Sequence, residues 1–287
     1  SKRRRIVNDL HLSGIAVLQV PSVDDLTSGR SRIDALRPIA IEDLLGRDAV
    51  AADPQILGAG IRATVVCVTG AGGSIGSELC RQIIALHPAR LILLESSEPA
   101  LYAIEQELLS LLPDGVNLQA LLGSAADLQL MQQVFADQAV ELVFHAAAYK
   151  HVPLVEANPL AGLANNVGST RMVCRAAAAT GVLKVVMIST DKAVRPTNVM
   201  GASKRLAELV VQASAQESTT TCFAMVRFGN VLGSSGSVVP LFRRQIAAGG
   251  PITLTHPEII RYFMTIPEAA QLVLQTSAFA EGGEVFL

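Results

Sequence analysis

Apolar segments alternate regularly with amphipathic segments from about residue 63 onward. Runs such as "VVCVT", "RLILLE" and "KVVMIST" are almost continuously apolar, which is typical of strands buried on both faces of a parallel sheet. Residues 74–86, 101–111 and 127–135, which lie between such runs, predict helices. Strands that alternate with helices predict βαβ units, and therefore an α/β fold with a doubly wound parallel sheet.

The alternation continues with strands in "ELVFHAA" and "CFAMVRF" and with helices over about 160–180 and 200–215. It weakens after Phe228. We therefore expect residues 229–287 to form a smaller lobe over the carboxyl ends of the strands, where ligands bind in such sheets.

The first 60 residues have a different pattern. "IAVLQVPSVDDL" predicts a strand followed by a helix start, and "PIAIEDLLGRDAV" predicts a short amphipathic segment. The chain begins in a basic stretch and stops inside the strand-like "GGEVFL", so we expect a piece of a longer protein. No run reaches the roughly 18 apolar residues of a membrane span, and no signal peptide is evident.

Composition narrows the class of function. Hydrophobic residues make up 50% of the chain and aromatic residues only 4%, so aliphatic side chains must fill the core. The net charge of -2 argues against nucleic acid as the main partner. The four cysteines form no CxxC pair and sit in apolar patterns, which indicates buried thiols in a reducing compartment, and we predict no metal site.

A glycine loop follows the first strand, in "VVCVTGAGGSIGSEL". Gly70, Gly73 and Gly76 stand where a strand turns into a helix, so the backbone can approach a pyrophosphate and the helix N-terminus can face it. We expect a dinucleotide to be held here, with contacts from Ser74 and Ile75 as well.

Glu95 ends the second strand, 19 residues after Gly76. An acidic residue at this point accepts hydrogen bonds from the adenosine ribose and repels a 2′-phosphate, which predicts NAD rather than NADP. Ser124 or Asp127, after the third strand, faces the adenine, although Asp127 could equally be a helix N-cap. Ala146 and Ala147, after the fourth strand, complete the predicted cofactor contacts.

The segment "STDKAVRPTNVMGASKR" places Asp191 and Lys192 at the carboxyl end of a strand, and Lys204 one helical turn after Met200. A catalytic Tyr would be expected where Met200 stands, and a thioether cannot transfer a proton. The site is therefore either inactive or has its acid/base groups elsewhere.

These motifs, together with "AYKHVPLVE", "NNVGST" and "RFGNVLGSSGSVVPLF", resemble the extended short-chain dehydrogenase/reductase superfamily. Within it, the chain is most similar to the large, membrane-attached 4,6-dehydratases of bacterial polysaccharide biosynthesis, which act on UDP-N-acetylglucosamine. The resemblance runs from about Ile39 to Leu287, and the larger members of that family also have Met in place of Tyr.

The resemblance implies NAD-dependent 4,6-dehydration. It assigns Asp191 as the acid for the C6 hydroxyl, Lys192 as the base for C5 and Lys204 as a ligand of the nicotinamide ribose, while Met200 forms an apolar wall. The C4 hydroxyl could lose its proton through Thr190, directly to Asp191 or to a water; we favour Asp191 with Thr190.

The nucleotide-sugar is expected to lie between the sheet and the C-terminal lobe. Lys150 and His151 would touch sugar or phosphate, and Asn166 either positions the catalytic strand or is an ordinary helix residue. Asn230, Ser237 and a helix beginning at Val239 and Pro240 would face the diphosphate. The remaining predicted substrate contacts are Arg244, Arg261 and Thr253, the last in a predicted edge strand "PITLTHPE".

The resemblance also predicts the domain plan and the setting. Residues 1–60 would be a lead-in and linker after a missing N-terminal membrane region, 61–228 the NAD-binding domain, and 229–287 a truncated substrate lobe. The full protein would act at the cytoplasmic face of the bacterial inner membrane, as a homo-oligomer. A nucleotide-sugar epimerase or reductase, and a non-catalytic NAD-binding module, are the alternatives.

Overall fold

Two short strands in the first part of the chain pair antiparallel, β1 (Leu18–Gln19) and β2 (Arg37–Pro38). The computed structural model describes these residues and then 54–234, 236–254, 256–258 and 261–287. β1 lies inside the predicted strand, whereas the predicted amphipathic segment lies outside the described residues apart from Pro38. Residues 1–50 and 51–287 are separate compact units, so α1 (Pro54–Gly58) belongs to the second unit rather than to a linker.

A parallel sheet of seven strands forms the centre of the second unit. Its first six strands are β3 (Val65–Thr69), β4 (Arg90–Glu95), β5 (Asn117–Leu122), β6 (Leu142–His145), β7 (Lys184–Ile188) and β8 (Cys222–Val226). The next two strands, β9 (Asn230–Val231) and β10 (Phe263–Met264), pair in parallel with each other and not with this sheet. The seventh strand of the sheet is β11 (Val285–Phe286). The doubly wound parallel sheet predicted from the sequence is confirmed.

Helices connect these strands. They are α2 (Ser74–Ala85), α3 (Glu98–Leu109), α4 (Leu128–Asp137), α5 (Val152–Ala157), α6 (Pro159–Leu163), α7 (Ser169–Thr180), α8 (Val199–Glu217), α9 (Val238–Ala247) and α10 (Ile266–Phe279). The predicted continuous helix over 160–180 is wrong in one respect, because a π-helical turn, Ala164–Gly168, separates α6 from α7. Among the described helices, none is long and apolar enough to cross a bilayer.

The strand order is β11-β8-β7-β6-β3-β4-β5. The chain therefore places β4 and β5 on one side of β3 and then returns to place β6, β7 and β8 on the other side of β3. A crevice forms at such a reversal, outside the carboxyl ends of the strands. The carboxyl ends of β3 and β6, at Thr69 and His145, flank this crevice.

Two apolar clusters cover the two faces of the sheet. One contains Val66 and Val68 of β3 together with buried side chains of α2, α3 and α10. The other contains Cys67 and buried side chains of α4, α7 and α8. Successive residues of β3 thus enter opposite cores, which is the period-2 burial of a strand covered on both faces.

The C-terminal part of the chain is only partly a separate lobe. β11 pairs with β8 in the main sheet, and α10 contributes Val273 and Leu274 to the core. Hence α10 and β11 complete the sheet layer. The predicted edge strand is wrong for residues 251–254 and 256–258, which are not part of a strand; the N–H of Thr253 donates instead to the Gln245 side chain.

Candidate active site

The glycine loop forms a close backbone crossing between β3 and the segment after β6. Gly70 has φ +69°, and a Cβ at this position would lie 2.7 Å from the Ala147 nitrogen. A Cβ on Gly76 would collide with the Gly70 carbonyl oxygen. Only glycine fits at either position, because a side chain would collide with the neighbouring backbone. The predicted approach of a pyrophosphate to this loop stays a prediction.

Helix α2 begins directly after this loop. Its N-cap is Gly73, which has no side chain to cap the helix. Gly73, Ser74, Ile75 and Gly76 all line the main cavity. The arrangement presents a helix N-terminus to the crevice, where backbone N–H groups and the helix dipole favour an anion such as a pyrophosphate.

Glu95 is held in place at the end of β4. Its Oε2 accepts a hydrogen bond from the Gly72 N–H at 3.1 Å, and its Oε1 accepts from the N–H groups of Ser96 at 2.8 Å and Ser97 at 3.0 Å. The carboxylate is therefore fixed beside the glycine loop. Its contact with the adenosine ribose stays a prediction.

The two polar residues after β5 have different roles. Asp127 caps α4 by accepting from the Leu130 N–H at 3.1 Å, which favours the N-cap interpretation. The Ser124 hydroxyl accepts from the Ala126 N–H at 3.2 Å and does not line the cavity. A contact between Ser124 and an adenine stays a prediction.

The main cavity has a volume of about 710 Å³ and runs along the carboxyl edge of the sheet. Residues from the glycine loop, from the segments after β6, β7 and β8, and from α8 line it. Of the predicted site residues it brings together Gly73, Ser74, Ile75, Gly76, Ala146, Lys150, His151, Thr190, Lys192, Met200, Lys204, Asn230 and Ser237.

The Thr190–Lys192 segment sits where β7 ends and a 3₁₀ turn, Asp191–Ala193, begins. Lys192 Nζ donates to Asp191 Oδ1 at 3.0 Å and to Asn230 Oδ1 at 3.3 Å. The Thr190 hydroxyl donates to the same Asp191 Oδ1 at 2.9 Å. A carboxyl, an amine and a hydroxyl therefore form one connected group beside the cavity.

Met200 and Lys204 lie on the cavity-facing side of α8, and both are buried. Lys204 Nζ donates to the Ile188 carbonyl at 2.6 Å. Burial lowers the pKa of Lys204 to about 8, although the Glu208 carboxylate opposes the shift. Met200 thus contributes an apolar surface to the cavity. Lys204 is the titratable residue of α8 that lines the same cavity.

His145 ends β6 and was not among the predicted site residues. Its Nδ1 lies 2.7 Å from Thr69 Oγ1, and its Nε2 lies 3.2 Å from Thr170 Oγ1. Burial, with a smaller effect of the Lys204 charge, lowers the pKa of His145 to about 3, so the ring is neutral. The signal in the sequence that could have identified His145 is its place at the end of an apolar strand, β6.

Asn166 is buried in the π-helical turn. Its Oδ1 accepts from the Tyr149 N–H at 2.7 Å, and its Nδ2 donates to the Tyr149 carbonyl at 3.0 Å and to Ser203 Oγ at 2.9 Å. Of the two interpretations left open by the sequence, this geometry favours positioning: Asn166 joins the segment after β6 to α8.

The loop before α9 lines the cavity through Ser234, Gly236 and Ser237. Ser237 is the N-cap of α9, yet its hydroxyl oxygen is buried without a hydrogen-bond partner among the described residues. A Cβ on Gly236 would collide with the His151 ring, so this loop packs closely over His151. Burial lowers the pKa of Lys150, on the same wall.

The other predicted residues do not line this cavity. Arg244 and Arg261 are exposed, and Thr253 Oγ1 accepts from Gln245. The remaining ones are Gly70, Glu95, Ser124, Ala147, Asp191, Asn166, Val239 and Pro240. Among the described residues, no group of three His, Cys, Asp or Glu side chains could hold a metal.

The strand order and the glycine loop define an α/β protein with a Rossmann-type dinucleotide-binding fold. The sequence profile of the polysaccharide biosynthesis protein family matches residues 66–287, and the chain belongs to that family.

Two curated polysaccharide biosynthesis proteins are similar to this chain. The chain is 46% identical over its whole length to the capsular polysaccharide biosynthesis protein CapD of Staphylococcus aureus, of which it covers 48%. It is 44% identical over 96% of its length to the probable polysaccharide biosynthesis protein EpsC of Bacillus subtilis, of which it covers 46%. The chain thus spans about half the length of these curated relatives.

Solved structures share the fold. Pen from Bacillus thuringiensis superposes with a TM-score of 0.74 at 32% identity, over 78% of this chain and 68% of that one. The dTDP-glucose 4,6-dehydratase DesIV from Streptomyces venezuelae, with NAD and TYD bound, superposes with a TM-score of 0.68 at 22% identity, over 77% of this chain and 74% of that one.

Proposed function

We propose that this chain catalyses the NAD-dependent 4,6-dehydration of UDP-N-acetylglucosamine to a UDP-4-keto-6-deoxy sugar, for the synthesis of a surface polysaccharide. The observation that carries the proposal is the Asp191–Lys192 pair, joined at 3.0 Å beside the cavity. The membership in the polysaccharide biosynthesis family supports the setting. The likeness in fold to a dTDP-glucose 4,6-dehydratase is consistent with the reaction type.

The cofactor is NAD. Gly70 and Gly76 allow the tight turn between β3 and α2, and the N-terminus of α2 would face the pyrophosphate. The Glu95 carboxylate beside this loop would favour a free 2′-hydroxyl over a 2′-phosphate. When bound, NAD supplies the acceptor for the C4 hydride and later returns that hydride to C6. Lys204 would bind the nicotinamide ribose from α8.

Elimination requires a base within reach of the C5 hydrogen and an acid within reach of the C6 hydroxyl. Once C4 is a ketone, the C5 hydrogen is acidic; Lys192 removes it while Asp191 protonates the departing C6 hydroxyl, and water leaves. In the free protein Lys192 Nζ donates to Asp191 Oδ1 and to Asn230 Oδ1. The substrate must therefore displace these contacts before Lys192 can accept a proton.

The C4 hydroxyl needs a proton acceptor in place of the missing phenol. Thr190 Oγ1 and Asp191 Oδ1 are 2.9 Å apart, so a proton can pass from the substrate hydroxyl through Thr190 to Asp191. Asp191, protonated in this way, is then the acid that the C6 hydroxyl requires. One carboxyl thus serves both half-reactions, and Met200 need only pack against the ring.

The diphosphate would lie beside Lys150, Gly236 and Ser237, which line the same cavity. The N-terminus of α9 and the unpartnered Ser237 hydroxyl supply donors there, and Lys150 supplies positive charge. Arg244, Arg261 and Thr253 do not line this cavity, and their contacts with the substrate rest on the sequence resemblance. Homo-oligomer formation and attachment to the cytoplasmic face of a membrane through another region of the protein are further proposals, and they rest on the sequence resemblance.

A 4-epimerase is the second candidate. A UDP-glucose 4-epimerase of Rickettsia prowazekii is 33% identical over 77% of this chain, which covers 64% of that protein. Epimerisation at C4 removes no water, so it needs no acid and base for C6 and C5. It therefore does not explain why Asp191 and Lys192 occur together. The same assay therefore separates the two reactions.

The test is incubation with UDP-N-acetylglucosamine and NAD in deuterated water, followed by proton and mass spectra. Dehydration predicts the loss of one water, a new 6-methyl signal and deuterium at C5. Lys192→Met should reduce turnover by at least about a hundredfold, and so should Asp191→Asn, because each removes a proton-transfer group. The exposed Asp114→Asn change is the matched control and should leave turnover unchanged.

A product with an inverted C4 and an intact C6 hydroxyl would support the epimerase instead. If NAD binds but the sugar is unchanged, the chain is a binding module, and the dehydratase proposal fails for it. Normal C4 oxidation by Asp191→Asn in a single turnover would exclude the role of Asp191 at the C4 hydroxyl.

A further inference from the structure

A buried carboxylate, Glu208, lies behind the active-site wall and is fully enclosed. Its Oε1 accepts from Ser189 Oγ at 2.6 Å and from Arg227 Nε at 2.7 Å. Its Oε2 accepts from Arg227 Nη2 at 2.6 Å and from Arg205 Nη1 at 3.0 Å. Four donors therefore fix both oxygens, and Glu208 does not line the cavity.

The partners of Glu208 come from three elements that build the site. Ser189 directly precedes Thr190 and Asp191, at the end of β7. Arg227 follows β8 and leads into the segment that carries Asn230. Glu208 itself is one helical turn after Lys204 on α8, so it lies on the same side of the helix as the lysine.

The charges around Lys204 show why this placement matters. Lys204 is buried, with 6% of its surface exposed, and its Nζ donates to the Ile188 carbonyl, which is neutral. His145, at the end of β6, is also neutral and gives it no counter-charge. Arg205 and Arg227 both donate hydrogen bonds to the Glu208 carboxylate. Of the groups that act on Lys204 within the described residues, Glu208 is the anion that stabilises its positive charge.

Glu208 is ionised in this environment. Burial raises the pKa of its carboxyl, but the hydrogen bonds from Arg227, Ser189 and Arg205 outweigh burial and hold the pKa below its usual value. The negative charge is therefore permanent over the working range of pH. Its distance from Lys204 is set by the helix rather than by a flexible contact.

We propose that Glu208 is a positioning residue that keeps Lys204 as the ammonium in the active site, with Ser189, Arg205 and Arg227 fixing its carboxylate for that purpose. The proposal deepens the proposed function, on which it rests only for its catalytic consequence. That consequence is that the loss of Glu208 makes Lys204 neutral at a lower pH, where the lysine can no longer give the nicotinamide ribose a charged donor.

The protonation of Lys204 can be measured directly, without turnover. The chain is labelled with ε-¹³C-lysine, the Lys204 signal is assigned by its loss in Lys204→Arg, and its chemical shift is followed from pH 6 to 10. In the wild type the midpoint should lie near 8, the pKa that burial and Glu208 together give Lys204. In Glu208→Gln it should fall by about one pH unit or more, because the stabilising anion is gone.

Arg205→Gln gives a second test with the opposite sign. Arg205 is partly exposed, at 38% of its side chain, so the substitution should be tolerated. Removing its positive charge leaves more of the Glu208 charge to act on Lys204, and the midpoint should rise by about 0.3–0.5 units. Glu107→Gln, which breaks an ion pair with Arg81 on α2, is the matched control and should leave the midpoint unchanged.

Unchanged midpoints in Glu208→Gln and Arg205→Gln would overturn the proposal. If Glu208→Gln does not fold, Arg205→Gln decides alone: a raised midpoint supports the proposal and an unchanged one overturns it. In the dehydration assay, the alkaline limb of kcat/KM should move to lower pH in Glu208→Gln by the same shift as the lysine. A wild-type chain without turnover would refute the proposed function, while the lysine titration would still decide the role of Glu208.

Discussion

At the scale of single residues, the contact between α8 and the catalytic turn depends on the absence of one methyl group. Gly201 follows Met200, and a Cβ on Gly201 would collide with the Lys192 carbonyl oxygen. The helix can therefore approach the Asp191–Ala193 turn only with glycine at this position. The distance between Lys204 and the Asp191–Lys192 pair is set by this approach.

We expect Gly201→Ala to separate α8 from the catalytic turn. Overpacking of this kind destabilises by about 1–3 kcal/mol, and a misplaced catalytic pair reduces turnover by roughly a hundredfold. Urea unfolding and the dehydration assay measure the two effects. Gly168→Ala is the control, since a Cβ there meets nothing within 4 Å; equal losses in both variants would show that the contact with Lys192 is unimportant.

At the scale of elements, the π-helical turn decides how the segment after β6 meets α8. It replaces the regular helix expected between residues 160 and 180 at the point where Asn166 enters the interior. The Asn166 side chain satisfies both backbone groups of Tyr149 and contacts Ser203 of α8. The wall that carries Lys150 and His151 is thereby joined to the helix that carries Met200 and Lys204.

Asn166→Ala should cost about 2–4 kcal/mol in the free energy of unfolding, because it leaves the Tyr149 backbone groups without partners inside the protein. Chemical denaturation measures this cost. Asn117→Ala, at the exposed start of the edge strand β5, should change stability by less than about 0.5 kcal/mol. A loss no larger than that in Asn166→Ala would mean that water replaces the amide without penalty.

At the scale of the whole molecule, neutral His145 makes stability depend on pH. Its pKa is about 3 in the folded protein, because of burial and the Lys204 charge, against an ordinary value of 6.5. Below pH 6.5 the unfolded chain gains a proton that the folded chain does not. Stability is therefore fully present above pH 6.5 and is lost as the pH falls below it.

Between about pH 6.5 and 5, before most carboxylates titrate, the free energy of unfolding should fall with a slope that approaches 1.4 kcal/mol per pH unit, roughly the value for one proton. Denaturant titrations at a series of pH values measure the slope. His145→Asn should be less stable at neutral pH but should show a flatter slope. The control His87→Asn, at an exposed position with φ +56°, which Asn tolerates, should keep the wild-type slope.

Much of the fold and part of the site followed from local pattern. The strands β3 to β8 and the glycine loop lie where apolar runs and Gly70, Gly73 and Gly76 predicted them. The predicted lobe 229–287 was less accurate, because β11 has only two residues and its pairing with β8 is a long-range contact. A strand of that length carries too little pattern to reveal which sheet it joins.

The sequence by itself determined the parallel sheet, the cofactor loop and the adjacency of Asp191 and Lys192, because each depends on residues close together in the chain. Only the tertiary structure decided that Lys192 donates a hydrogen bond to Asn230 and that Asn166 binds both Tyr149 and Ser203. The same holds for the hydrogen bonds from Ser189 and Arg227 to Glu208. Such contacts join residues far apart in sequence, and their hydrogen-bonding groups are placed by the packing of helices on the sheet. The local pattern of apolar and polar residues therefore does not predict these contacts.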